Sequence, residues 1–432
     1  MAEVRDGGLA SDSRRVVQDA AIIEGSLEEL IEVALASNPE VAAGRRKVER
    51  LSERPAQLSA LDDPVLALTV GELAETAAGQ VDYIVSLTQA LPYPGTLDAR
   101  ASVAEQEVLT ASAELLERIE RVAGEVRRVY WRRYAVARAI EVTEQDREVL
   151  GQISGIIDAR ARVGEAEQAD QLRVSLRTAD LDQRLDRLHQ EMRSLDAMLN
   201  RLLNRNVSAD LPVPDAMDWQ SIEIERDAMI EQAERENPAV HVQRRRVEAF
   251  RHRLKLAQAE RRPDFRIGVQ YAVVGSDGLA GSANGHDQFA VTGSMSLPFW
   301  SPRYDAMERE ALRGIGEALA ELDAAQGRAA NLAEDALARM EAERSILTRL
   351  NEQMLPDSRR AFELAMTGYG AGTVSFIQMM DDWQRTLDLE LAAHRAHARY
   401  EQAQADLAAA LGEVSGRLTE SATHESTEAD HE

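Results

Sequence analysis

The chain repeats itself, and this constrains its fold more than any single motif. LIEVALASNPEVAAGRRKVERL (residues 30–51) aligns without a gap on MIEQAERENPAVHVQRRRVEAF (residues 229–250) at an offset of 199. Identical pairs include Ile31 and Ile230, Asn38 and Asn237, Pro39 and Pro238, Val41 and Val240, and Arg45 and Arg244; Pro64 and Pro263 keep the same offset. Further along, QALPYPGTLDAR (89–100) answers to MSLPFWSPRYDA (295–306), and RVGEAEQADQ near 162–171 to YGAGTVSFIQ near 369–378. Chance likeness between Ala/Glu-rich helices does not place Asn-Pro, Leu-Pro and Gly in one order twice. The expected organisation is an extension over 1–25, repeat 1 over 26–228, repeat 2 over 229–412 and a disordered acidic tail over 413–432.

Each copy reads alike. A helix follows Asn-Pro, with the proline suited to its first turn. Two short alternating segments come next, about 64–91 in copy one and 264–298 in copy two. In PDFRIGVQYAVVG, Phe265, Ile267, Val269, Tyr271 and Val273 alternate with Arg266, Gly268, Gln270 and Ala272, the period of a strand. Partner strands are expected near Val65–Glu72, Val81–Gln89 and Gln288–Leu297. GSDGLAGSANGHD (275–287) reads as a flexible hairpin loop, because no Lys-Ser/Thr follows for a phosphate. Long helical hairpins are expected over about 96–204 and 303–411. Leu115, Ile119, Val122, Val126 and Val129 step at heptad spacing, as do Leu181, Leu185, Leu188, Met192, Leu195, Leu199 and Leu202. A helix over 96–161 extends roughly 100 Å. The predicted class is mainly α with a small β part.

Aromatics make up only 4% of the chain, thin for a large globular core and suited to long amphipathic helices. The formal charge of -25 argues against a nucleic-acid partner, which needs Lys/Arg contacts to phosphate. It fits either an acidic lumen that favours cations or a well-solvated surface. No cysteine is present, so disulfides and thiolate metal sites are excluded. No apolar run is long enough for a membrane-spanning helix, and residues 1–25 show no apolar export-signal core, which by itself favours a soluble cytoplasmic protein. No Walker loop, dinucleotide fingerprint, HExxH or Gly-x-Ser-x-Gly elbow occurs, so neither an enzyme nor a cofactor is expected.

Strands of about ten residues, apolar on one side and small or polar on the other, suit a wall between lipid and water. Lipid cannot satisfy an open sheet edge, and four strands are too few to close, so several chains must share one barrel. Six of the eighteen aromatics fall between 265 and 304, where an interfacial girdle belongs, and Tyr83 and Tyr93 mark the first strand pair. Tyr83, Tyr93, Phe299, Trp300 and Tyr304 are the candidate membrane-interface residues. Alternation alone leaves open a small water-soluble sheet capping a helical bundle.

The duplicated unit, the Asn-Pro helix starts, the strand pair ending in Leu-Pro, and the turns Arg162-Val163-Gly164 and Gly370-Ala371-Gly372-Thr373 together resemble the bacterial outer-membrane efflux proteins, the TolC-like family, over nearly the whole chain. SLTQALPYPGTLDAR (86–100) is most similar to the heavy-metal efflux branch. The resemblance implies an α-barrel protomer with four strands given to a shared trimeric β-barrel. It also implies an outer-membrane location with a periplasmic extension, a homotrimer, a periplasmic adaptor and an inner-membrane pump of the resistance-nodulation-division type. It implies adaptor docking at Arg162, Val163, Gly164, Tyr369, Gly370, Gly372 and Thr373. Aligning Gly164 with Gly372 sets Asp170 against Gln378 and Arg173 against Asp381. These four and Asp382 are the candidate periplasmic entrance, with an ordinary solvated helix face as the competing reading. His394 with His397, and Met379–Met380, could ligate metal but read better as a solvated pair and as seam residues. Arg244–Arg246 and Arg261–Arg262 read as helix charge. The alternative from another class is a soluble coiled-coil scaffold or periplasmic adaptor without a barrel.

Overall fold

The computed structural model describes residues 25–70, 75–76, 78–162, 168–214, 225–276, 281–282 and 285–413. Expectations for 1–24, for Val163 and Gly164, and for the tail from 414 lie outside the described residues. In chain order the elements are α1 (Leu27–Ser37), α2 (Pro39–Ser52), α3 (Arg54–Ser59), β1 (Val65–Val70), β2 (Glu75–Thr76), β3 (Gly79–Leu91), α4 (Thr96–Arg162) and α5 (Gln168–Leu202). They continue with α6 (Arg226–Glu236), α7 (Pro238–Ala259), β4 (Phe265–Val274), β5 (Gln288–Met295), α8 (Ser301–Arg349), a π-turn (Leu350–Met354), α9 (Leu355–Gly370) and α10 (Phe376–Leu411). Two compact units result, and each draws on both halves of the sequence: one from Met1–Gly44, Leu115–Val240 and Ala325–Glu432, the other from Arg45–Glu114 and His241–Ala324.

The first unit is helical, and its cores follow the heptad seams. Leu30, Ala34 and Val41 pack with Ile119, Val122, Val126 and Val129 of α4 and with Leu195, Leu199 and Leu202 of α5. A second cluster joins Leu150, Ile153 and Ile157 to Val174, Leu181, Met379, Trp383, Leu387 and Leu391. Each fully buried aliphatic contributes about 1.5–3 kcal/mol by leaving water.

The Asn-Pro pair does its work twice. Asn38 Oδ1 accepts from the Glu40 amide at 2.8 Å, capping α2, while Asn38 Nδ2 donates to the Leu202 carbonyl at 3.0 Å. Asn237 Oδ1 likewise accepts from Ala239 N at 3.0 Å, and its Nδ2 donates to Ala410 O at 2.9 Å. One side chain thus satisfies a helix start and a helix end together.

Pro356 does not break the long outgoing helix of the second half. Proline lacks an N–H and its ring collides with the carbonyl four residues back. The five-residue π-turn absorbs both, with Leu355 N–H donating to Leu350 O one residue further back than in an α-helix.

In the second unit the main sheet runs β1-β3-β4-β5, all antiparallel, with β2 paired to β3 off this path. The strand from Phe265 pairs with its hairpin mate β5 and with β3 from the other repeat. β5 ends at Met295, short of the expected Leu297, because Pro298 cannot donate to a ladder; Ser296 N still reaches Asp264 O at 2.8 Å. β3 begins two residues before the expected Val81, and its register shifts between Val81 and Tyr83, a bulge near the tip.

Candidate functional site

Register assigns the two faces of the sheet. Leu66, Leu68 and Val70 align with Leu87, Val85 and Tyr83. Val85, Leu87 and Leu91 align with Tyr271, Val269 and Phe265, which in turn meet Phe289, Val291 and Met295. That face is apolar across all four strands of the path, with Gln89 and Gly293 the exceptions. The opposite face presents Ser86, Thr88, Arg266, Gly268, Gln270, Thr292 and Ser294 along the same ladders. Gly268 sits between two threonines, and a Cβ there would come within 2.7 Å of Thr292 Oγ1.

The apolar face is bare. Leu66 is 71% exposed and Phe289 and Val291 68% each, a contiguous patch that water would penalise at about 25 cal/mol per Å². From the Tyr271–Phe289 row to the Phe265–Met295 row the face spans roughly 20 Å at about 3.3 Å per residue. Leu297 and Phe299 follow β5 and are exposed too, although the Phe299 amide turns back onto the Leu297 carbonyl at 2.8 Å. Of the candidate interface aromatics, Tyr83 lies on this face, Phe299 and Trp300 are each 78% exposed, and Tyr93 and Tyr304 each lie beneath an arginine. No helix among the described residues is long and apolar enough to cross a membrane.

The second candidate region lies where α4, α5, α9 and α10 end or begin. Tyr369 is buried, stacks edge-on against Phe376 at 5.8 Å, and carries the Arg160 guanidinium 4.7 Å above its ring. Arg160 also donates to the Tyr369 carbonyl. Burial and the nearby Asp170 carboxylate push the Tyr369 hydroxyl above its usual pKa. Gly372 takes a left-handed φ of 77°, and Thr373 N closes the turn onto Gly368 O at 2.8 Å. Ser375 caps α10 by accepting from the Gln378 amide. Asp170 is buried, and Arg173 donates to it at 3.1 Å. Asp381 is exposed and Asp382 half-buried, while Arg162, Gly370, Gly372, Thr373 and Gln378 stand on the surface.

One expectation is corrected here: His394 and His397 are not a solvated pair. His397 is 5% exposed and packs against Trp131 and Tyr134, with Tyr134 Oη 3.4 Å from its Nδ1. Burial, then the Arg138 charge, lowers the pKa of His394. α4 supplies the aromatics that dehydrate His397, a partner no pattern on α10 itself could announce. Met379 and Met380 are buried in the apolar cluster, and no group of three metal-ligating side chains occurs among the described residues. Sequence reasoning also missed the Arg160–Tyr369 stack and the bond from Trp383 to Asp146.

One unit thus carries an amphipathic sheet with two open edges among the described residues, and the other carries helices with heptad cores. Residues 229–413 match the outer membrane efflux protein family model. The fold is similar to VceC from Vibrio cholerae (18% identity, TM-score 0.71, covering 89% of this chain and 96% of that one). It is similar to CusC (14%, 0.74, 89% and 91%) and to CmeC from Campylobacter jejuni (13%, 0.72, 89% and 85%). None of the curated proteins compared matches the chain. The family model covers the second repeat, and the fold over 89% of the chain is that of these outer-membrane channels. The similarity favours the efflux-channel reading over the soluble scaffold.

Proposed function

We propose that three copies of the chain close one twelve-stranded barrel and one twelve-helix periplasmic tunnel, a passive conduit energised by an inner-membrane pump of the resistance-nodulation-division type through a periplasmic adaptor. The observation that carries this reading is the pair of open sheet edges. Among the described residues β1 pairs only with β3 and β5 only with β4, and every residue of both edge strands is exposed. In lipid each unpaired backbone group costs several kcal/mol, so β5 of one copy must meet β1 of the next.

The turn at Tyr369, Gly370, Gly372 and Thr373, with Arg162, Val163 and Gly164, is the adaptor-docking end. Asp381 and Asp382, tripled by symmetry, form a ring of carboxylates that draws cations to the entrance. Asp170 joins it through Arg173, and Gln378 lies beside it. The branch read from SLTQALPYPGTLDAR is heavy-metal efflux.

The chain contains no cysteine, which makes the test clean. Ala67→Cys on β1, combined in turn with Ala290→Cys, Thr292→Cys and Ser294→Cys on β5, should give a cross-linked trimer in detergent for at least one pair. The same preparation should conduct ions in a planar bilayer. A 47.7 kDa monomer that neither cross-links nor conducts rejects the proposal.

A further inference from the structure

The helix-bearing edge of the sheet's apolar face carries arginines that the fold leaves without a carboxylate. The last row across this face is Leu91–Phe265–Met295. Half-buried Tyr93 follows β3, and the exposed Leu297, Phe299 and Trp300 follow β5, so this end carries aromatics where hydrocarbon gives way to headgroups. All four junctions with α3, α4, α7 and α8 lie at this end, so it faces the periplasm.

At this level Arg262 lies 4.7 Å above the Tyr93 ring, and Arg303 lies 5.7 Å above Tyr304. Neither forms an ion pair among the described residues, whereas their neighbour Arg261 is held by Asp305 at 3.0 Å and Glu308 at 3.4 Å. Of the other carboxylates nearby, Asp264 accepts from the Tyr93 amide at 3.1 Å and Glu260 faces Arg100 at 3.8 Å. Asp62 and Asp63 precede β1, the neighbour of β3, and form no ion pair with either arginine among the described residues. In a chain of formal charge -25, two exposed guanidiniums laid on tyrosine faces and left unneutralised at the membrane boundary call for an anion. Aromatic stacking fixes the guanidinium plane, and its fork fits a phosphodiester.

We infer that Arg262 on Tyr93 and Arg303 on Tyr304 are headgroup sites for anionic phospholipid of the periplasm-facing leaflet. The inference rests on the membrane assignment above and adds the lipid chemistry that the rim selects.

The test uses the full-length protein in detergent with an equal mixture of phosphatidylglycerol and phosphatidylcholine, counting retained lipids by native mass spectrometry. Wild type should retain the anionic lipid preferentially, and Arg262→Gln with Arg303→Gln should reduce the enrichment by about fivefold per arginine. Arg261→Gln should leave it unchanged. Equal enrichment in wild type and the double variant overturns the inference, as does equal loss in Arg261→Gln. Displacement of the lipid from wild type by 100 mM inorganic phosphate alone reassigns the sites to free anions and overturns it too. Because the variants are read alongside bilayer conductance, lost selectivity with intact conductance in wild type strikes this inference only. Absent conductance strikes the conduit itself.

Discussion

Trp383 donates its indole N–H to the Asp146 carboxylate across 2.8 Å, tying α10 to α4 inside a buried apolar cluster. Burial, opposed by this hydrogen bond, lifts Asp146 from 3.8 to about 6, with Glu390 raising it further and Arg184 lowering it. The folded chain therefore keeps a proton that the unfolded chain has released. The group's contribution to stability is full below about 4 and is lost as pH rises through about 6. Asp146→Asn, neutral throughout, should flatten this slope. The thermal midpoint of wild type should fall relative to the variant between pH 4.5 and 7.5; a constant gap would reject the assignment.

The Arg160–Tyr369 stack clamps the end of α9 to α4. Arg160→Ala removes both the cation–π contact and the hydrogen bond to the Tyr369 carbonyl, together about 1–3 kcal/mol. Single-channel conductance should rise. Tyr369→Phe retains both contacts and should leave conductance near wild type.

Two neighbouring glycines separate docking from folding. Gly372 has φ 77°, so Gly372→Ala should cost about 1–2 kcal/mol of backbone strain, read as a lower thermal midpoint. Gly370 is the last residue of α9, and an added Cβ meets nothing within 4 Å. Gly370→Ala should leave the midpoint unchanged or raise it slightly. Any loss of adaptor binding in a pull-down is then a surface effect.

Asp381 is exposed at the start of α10. Asp381→Ala should weaken block by divalent cations and raise conductance. Should both quantities match wild type, the carboxylate ring is not at the entrance.

Much of the architecture was legible because it is written in local periods. The heptads of Leu115–Val129 and Leu181–Leu202 foretold which faces of α4 and α5 would be buried. The alternation from Phe265 foretold the strand, and Asn38 and Asn237 announced the helix starts. The carbonyls those asparagines reach, Leu202 and Ala410, lie more than 160 residues away and had no local sign.

What the sequence determined by itself is therefore the set of elements and the side of each that shuns water, since a 3.6- or two-residue period is set by backbone geometry within a few residues. Only the tertiary structure decided who meets whom. It paired β3 of one repeat with β4 of the other, buried His397 against Trp131 and Tyr134, and brought Trp383 to Asp146 and Arg160 to Tyr369. Such meetings depend on where whole helices and strands are carried in space, and that is settled by packing between distant segments.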